Sequence, residues 1–92
     1  MMRPLHIVSS ETFSVDDSTP DGPDAVPHSW LARVSSDQPI YVSLDGPADN
    51  SGLLLHASES ILLAIGAGVE LSLLAVSTTA NVSVAQVKLS AS

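Results

Sequence analysis

The sequence predicts an all-β fold, either an antiparallel β-sandwich or a small jelly-roll-like barrel of about seven to eight short strands. Three observations indicate this class. Apolar and polar residues alternate with a period of two across much of residues 52–89, as is typical of half-buried antiparallel strands. Turn-forming breaks recur at intervals of roughly 8–12 residues. With only one Phe, one Trp and one Tyr, the core must be aliphatic.

The 92 residues predict a single β domain with an N-terminal arm at 1–10 and an acidic, Pro-rich loop at 16–28. Prolines cannot donate to a sheet ladder, and Asp and Gly favour turns. The loop is long for a compact domain, so we expect it to be either mobile or held by a partner.

Extended segments follow one another along the chain, beginning with a short one at residues 5–8. Further predicted strands cover residues 11–15, 29–35, 40–44, 53–55, 61–65, 69–75 and 82–84. The connection at residues 66–68, Gly-Ala-Gly, is interpreted as a hairpin turn. A parity change in the apolar pattern after Val84 predicts a β-bulge around Ala85 and Gln86.

A helix is the alternative for residues 59–76, which are rich in Leu and Ala. Gly66 and Gly68 lie in the middle of that segment, and each would destabilise a helix by about 1 kcal/mol. We therefore favour strands there.

Charge and composition exclude several classes. Ten acidic residues against three Lys and Arg give a formal charge of −7, which opposes binding to nucleic acid and to anionic membranes. The absence of cysteine excludes disulfides and thiolate chemistry. Residues 53–76 are hydrophobic but interrupted by His56, Glu59 and Glu70, so we expect no membrane span and no membrane partner. The short apolar run at the N-terminus does not predict a signal peptide.

No pattern of residues predicts catalytic, cofactor-binding or metal-binding chemistry. His6, His28 and His56 are scattered through the chain without the spacing of a metal site. No Gly-x-Ser-x-Gly nucleophile motif occurs. We therefore predict no catalytic residues, no cofactor and no metal, and a protein that is not an enzyme.

Aliphatic residues on the second face of the later strands predict an interface. If Ile61 and Leu73 face the core, then Leu62, Leu74 and Val76 point the other way. Such a patch is rarely left exposed in a monomer. Either a second sheet or the long loop covers these three residues, or they form the contact of a homo-oligomer.

The order of features resembles small all-β virion proteins of tailed bacteriophages, of the capsid decoration (cement) or fibre-base type. The resemblance covers about residues 29–87 and consists of strands and turns rather than a chemical motif. It rests on five segments: Ala32-Arg33-Val34-Ser35, Pro39-Ile40-Tyr41-Val42-Ser43-Leu44, the aliphatic residues 52–65, the glycine turn and strand at 66–72, and Ala80-Asn81-Val82-Ser83-Val84. The acidic loop and the high leucine content depart from the pattern.

The resemblance implies a structural virion protein, most directly a capsid decoration protein that stabilises the head through homo-oligomeric contacts. The implied partners are other copies of the chain, with a trimer favoured, and the major capsid protein or other virion proteins. The implied location is the virion, after assembly in the host cytoplasm. A neck or tail accessory or a fibre-base protein is the alternative within this class.

Two hypotheses from other classes compete with a structural role. A receptor- or carbohydrate-binding module would use Trp30 or Tyr41 as a stacking platform, although aromatic residues are few. A small cupin-like enzyme would need several His and Glu on barrel strands, and His56 with Glu59 falls short of that.

Overall fold

The chain folds into two antiparallel β-sheets packed face to face. The computed structural model describes residues 5–89, and the side chains of residues 7–88. Seven strands follow in order: β1 (Leu5–Asp16), β2 (Trp30–Ser36), β3 (Ile40–Ser43), β4 (Leu53–Leu55), β5 (Ser60–Ile65), β6 (Ser72–Ala75) and β7 (Thr79–Leu89). The large sheet has the order β1-β7-β2-β5, and the small sheet has the order β4-β3-β6.

This architecture confirms the predicted all-β antiparallel fold, and its two separate sheets correspond to the sandwich rather than to the barrel. The helix considered for residues 59–76 is wrong, because β5 and β6 occupy that segment. Gly68 adopts a φ of +75°, which favours glycine and does not continue a helix.

The core lies between the sheets and is almost entirely aliphatic, as composition requires. Alternate residues of each strand supply it, because successive side chains in a strand point to opposite faces. The least exposed of the large side chains are Ile40, Leu55, Ile65, Leu73, Val15, Val34 and Val82.

The Gly-Ala-Gly connection is not a hairpin, contrary to the sequence-based interpretation. β5 belongs to the large sheet and β6 to the small one, so residues 66–71 carry the chain from one sheet to the other. The Val69 amide donates to the Gly66 carbonyl (3.1 Å), which closes the turn locally. β3 and β4 are the one consecutive pair of described strands that are directly hydrogen-bonded.

The predicted N-terminal arm and the predicted bulge also need correction. Residues 5–10 form the first half of β1 and pair with β7, whereas residues 1–4 lie outside the described part of the chain. The register shifts between Ile7 and Ser9, so the extra residue is Val8 on β1. β7 pairs with β2 without interruption through Ala85 and Gln86, which places the bulge on the neighbouring strand.

The acidic loop, residues 17–29, is hydrogen-bonded to its own domain at two places. Asp21 and Leu73 exchange two backbone hydrogen bonds of 2.9 and 2.7 Å, which adds a bridge to the free edge of β6. The Gly68 amide donates to the Val26 carbonyl (2.7 Å). The loop therefore protects an edge of the small sheet.

Two exposed carboxylates organise the turns around them. The Asp16 carboxylate accepts hydrogen bonds from the amides of Thr19 (2.7 Å) and Ser18 (3.0 Å) and from the Ser18 hydroxyl (3.2 Å). These donors, the Thr19 amide first, lower the pKa of Asp16 below its usual value of 3.8. The Ser51 hydroxyl and then the Ser51 amide lower the pKa of Asp49 in the same way.

The fold should therefore lose stability in acid. A carboxyl group whose pKa is lower in the folded state stabilises that state above its unfolded pKa, near 3.8 here, and this contribution is lost as the pH falls through the folded pKa. Urea unfolding from about pH 6 to about pH 2 should show a falling midpoint. In Asp16→Asn the amide oxygen can still accept the same bonds but does not titrate, so the fall should be shallower. If the urea midpoint of Asp16→Asn falls with pH as steeply as that of the unchanged chain, Asp16 does not contribute to the acid sensitivity.

Candidate functional site

The three predicted interface residues do not share one face. Leu62 lies on β5 of the large sheet, where it is 49% exposed, opposite Arg33 of β2. Leu74 lies on β6 of the small sheet, and Val76 follows it at 39% exposure. Because the outer faces of a sandwich point in opposite directions, Leu62 cannot join the other two in a single contact.

A row of apolar side chains crosses the outer face of the small sheet. Tyr41 on the central strand is paired with Leu54 on one side and with Leu74 on the other. Leu54 is 42% exposed, and Tyr41 and Leu74 are half-buried. We call Leu54, Tyr41, Leu74 and the adjacent Val76 the outer row. The other outward-facing positions of β3, β4 and β6 are all serines, so no charged side chain of these strands lies beside the outer row.

The outer face of the large sheet is also partly apolar, but it contains a charge. Ile7, Val87, Leu31 and Ala64 lie side by side across its four strands. The neighbouring row contains Arg33, which is exposed. Burying that face in a contact would desolvate a guanidinium, which is unfavourable unless a carboxylate accompanies it. The outer row of the small sheet is therefore the better candidate for a dry interface.

A groove lies on the inner face of the large sheet, where the small sheet does not cover it. β1 and β7 have 12 and 11 residues, whereas the small-sheet strands have only 3 or 4. Across the inner face of β2, β7 and β1, the buried Ala32 is followed by Gln86 and then by Ser9. In the adjacent row of paired residues, the position on β1 is the exposed Glu11. Polar side chains thus replace apolar ones on a face that elsewhere forms the core.

The acidic loop forms the other wall of this groove. Residues 22–28 lie across from β1 and enclose about 440 Å³, within the size range of small-ligand sites. Asp24 and His28 line the wall, and Phe13 and Trp30 contribute aromatic surface. We call this space the loop groove. Its lining, as far as the structure describes the chain, includes two carboxylates, Glu11 and Asp24, and no Lys or Arg.

Sequence reasoning missed the loop groove, although one signal for it was present. Ser9, Glu11 and Gln86 occupy positions that the strand alternation directs inward, next to Phe13 and Val84. Polar residues at inward positions indicate a part of the sheet that the second layer leaves open. The loop's position above them could not be read from local sequence.

The residues considered for carbohydrate binding occupy different surroundings. Trp30 packs half-buried against the core cluster, and its buried indole nitrogen has no hydrogen-bond partner among the described residues. It is therefore not an exposed stacking platform. Tyr41 belongs to the outer row, flanked by two leucines rather than by polar groups that would bind hydroxyls.

The histidines do not converge. His28 and His56 are both exposed, on the acidic loop and after β4 respectively, and the side chain of His6 lies outside the described residues. The His56 amide donates to the Glu59 carboxylate (2.9 Å), which closes the turn before β5. Among the described residues no group of three or more His, Cys, Asp or Glu is arranged to hold a metal ion.

Carboxylates cover the surface of the domain. All ten are exposed, four of them at Asp16, Asp17, Asp21 and Asp24 along the acidic loop and the strand end before it. Of the three cationic side chains, Arg33 and Lys88 are exposed and Arg3 lies outside the described part of the chain. Negatively charged side chains therefore lie beside the loop groove, whereas the outer row contains no charged residue.

No protein-family model, curated protein or solved structure matches the chain. The described residues contain no helix that is long and apolar enough to span a membrane.

Proposed function

We propose that this chain is a structural protein that acts by self-assembly, as a homo-oligomeric virion component of the capsid decoration type. Copies of the domain associate through the outer row of the small sheet and stabilise the particle through contacts with the major capsid protein or a neighbouring virion protein. The role is mechanical and uses no cofactor and no catalytic residue.

The observation that carries the proposal is the outer row itself. Leu54, Tyr41, Leu74 and Val76 form a neutral, apolar strip on a small domain that has ten exposed carboxylates elsewhere. Apolar burial contributes roughly 25 cal/mol per Å² removed from water, so covering this strip favours association. A chain of this length buries only about 60–65% of its unfolded surface, so intermolecular contacts add stability that the core alone does not supply.

The proposal predicts that a charge in the outer row breaks the assembly. Leu54→Asp or Leu74→Asp places an unpaired carboxylate in a dry contact, which is strongly unfavourable, and should convert the oligomer to monomer. Native mass spectrometry and size exclusion measure the change. Leu62→Asp is the matched control for Leu54→Asp, because Leu62 is a leucine of similar exposure on the other sheet, and it should leave the oligomer intact.

Ser72 is unsuitable as a control for this experiment. Its hydroxyl accepts a hydrogen bond from the Ala48 amide (2.9 Å) and holds the loop before β4, so a change there would disturb the fold. Ser77, exposed beside Val76, is the better polar position for an Asp substitution. If Leu54→Asp and Leu74→Asp stay assembled while Leu62→Asp dissociates, the interface lies on the large sheet instead.

The location in a particle is tested separately. Mass spectrometry of purified virions that encode this chain should detect it at the copy number of a structural protein. Detection only in the infected cell, and not in the particle, would contradict the virion role while leaving self-assembly intact.

A further inference from the structure

The outer edge of β1 has unused backbone hydrogen-bonding capacity. β1 is an edge strand that pairs only with β7, and no backbone hydrogen bond joins its other side to the rest of the described chain. The bulge at Val8 disturbs its start, which leaves the regular segment 9–16. That segment contains no proline, and its one inward-pointing charge is Glu11, a kind of residue that hinders strand pairing unless an opposite charge accompanies it.

The loop groove opens along this same edge. Ser9, Ser10 and Glu11 of β1 line it, although Ser10 points to the other face of the strand from Ser9 and Glu11. The groove therefore reaches the strand margin rather than ending beneath the sheet. A strand added to β1 would place alternate side chains on the groove side.

The groove's chemistry specifies a cationic side chain with an apolar stem. Glu11 and Asp24 supply two exposed carboxylates. Phe13 and Trp30 supply an apolar wall against which methylene groups can pack. Lys and Arg combine these two properties, because their stems pack on apolar surface while the charged end stays hydrated or paired.

We propose that the loop groove and the free edge of β1 form one docking site for an extended peptide segment of a partner protein, with a lysine or arginine of that segment in the groove. Main-chain hydrogen bonds to β1 supply affinity, and the groove supplies specificity, as in other cases of strand addition. This site is distinct from the outer row and does not depend on the virion role.

Trp30 provides a direct readout, because it is the only tryptophan of the chain and lines the groove. The probe is a capped peptide of alternating Thr and Val with one central Lys, titrated while Trp30 fluorescence is recorded. Its matched controls carry norleucine or Glu in place of Lys. We expect saturable binding of the Lys peptide, about tenfold weaker binding of the norleucine peptide, and none of the Glu peptide.

Variants of the protein distinguish binding in the loop groove from general attraction of a cationic peptide to an acidic protein. The double change Glu11→Gln with Asp24→Asn should weaken the Lys peptide to the level of the norleucine peptide, and circular dichroism should show an unchanged fold. Asp45→Asn removes an exposed carboxylate from a different loop and should leave the affinity unchanged. Equal losses in the two variants would overturn the assignment of the groove.

The backbone contribution is tested with a peptide N-methylated at alternate residues on the side that would face β1. N-methylation removes the amide donors needed for strand addition, so binding should be lost. Equal binding of the methylated peptide would overturn the strand-addition model. A Trp30 signal that changes with protein concentration alone would also overturn the proposal, since a second copy would then occupy the groove.

Discussion

Replacing Gly22 with alanine should destabilise the domain by about 2–3 kcal/mol, because overpacking against fixed backbone forces the chain apart. A Cβ at position 22 would overlap the carbonyl oxygen of Leu71 and lie 3.1 Å from its carbonyl carbon. Those atoms are backbone and cannot rotate away. The loop would have to lift off β6, breaking the two hydrogen bonds between Asp21 and Leu73. Thermal unfolding should show a melting temperature lower by roughly 10–20 °C, at about 4–8 °C per kcal/mol for a domain of this size.

Gly66→Ala is the matched control for this experiment. It makes the same chemical change and the same change in unfolded-chain entropy. The nearest atom to the added Cβ would be a Val69 methyl at 3.4 Å, an ordinary contact. Its stability should therefore stay within about 0.5 kcal/mol of the unchanged chain. If the two variants have the same melting temperature, the close approach of Gly22 to the Leu71 backbone does not contribute to stability as described.

Neighbouring leucines on β6 should respond to truncation in opposite ways. Leu73 is fully buried between the sheets, whereas Leu74 points outward in the outer row. Leu73→Ala leaves a cavity and should reduce the free energy of unfolding by about 2–5 kcal/mol. Leu74→Ala should change the stability of the monomer by less than about 1 kcal/mol. It should weaken self-association, because the Leu74 side chain packs against another copy of the chain.

Urea unfolding at low protein concentration measures the free energy of unfolding of the monomer. Sedimentation at higher concentration measures the strength of self-association. The comparison is internally controlled, since the two substitutions are identical and adjacent. If Leu74→Ala destabilises the monomer as much as Leu73→Ala does, then Leu74 belongs to a covered core and the outer row is not an interface.

Much of the fold was predictable because strand alternation is a local property. The pattern around Ile61, Leu63 and Ile65 predicted a strand where β5 is found, and Leu73 faces the core as the alternation required. Gly66 and Gly68 correctly argued against a helix. These features depend on residues close in sequence, where steric preference and periodicity act directly.

The allocation of strands to sheets was not predictable in the same way. Leu62 and Leu74 share an alternation pattern, and nothing local distinguishes the sheet to which each belongs. That allocation is decided by pairing between distant segments, such as β1 with β7 and β2 with β5. The interface predicted from parity therefore combined residues of two opposite faces.

The docking of the acidic loop was equally non-local. Its prolines and aspartates predicted an irregular segment, which is what residues 17–29 form. Its attachment depends on the Asp21 bridge to Leu73 and on the Gly68 contact with Val26, each joining residues about 40 to 50 positions apart in the sequence. The loop groove exists because of that attachment, so it too could only be seen in the folded chain.

Self-association is the central claim, and the mass of the unmodified protein in solution tests it most directly. Sedimentation equilibrium and native mass spectrometry across a range of concentrations should give a defined multiple of 9.5 kDa, with three copies favoured. The multiple should be independent of ionic strength, because the outer row is apolar and uncharged. A single 9.5-kDa species at every concentration up to the solubility limit would contradict assembly through the outer row.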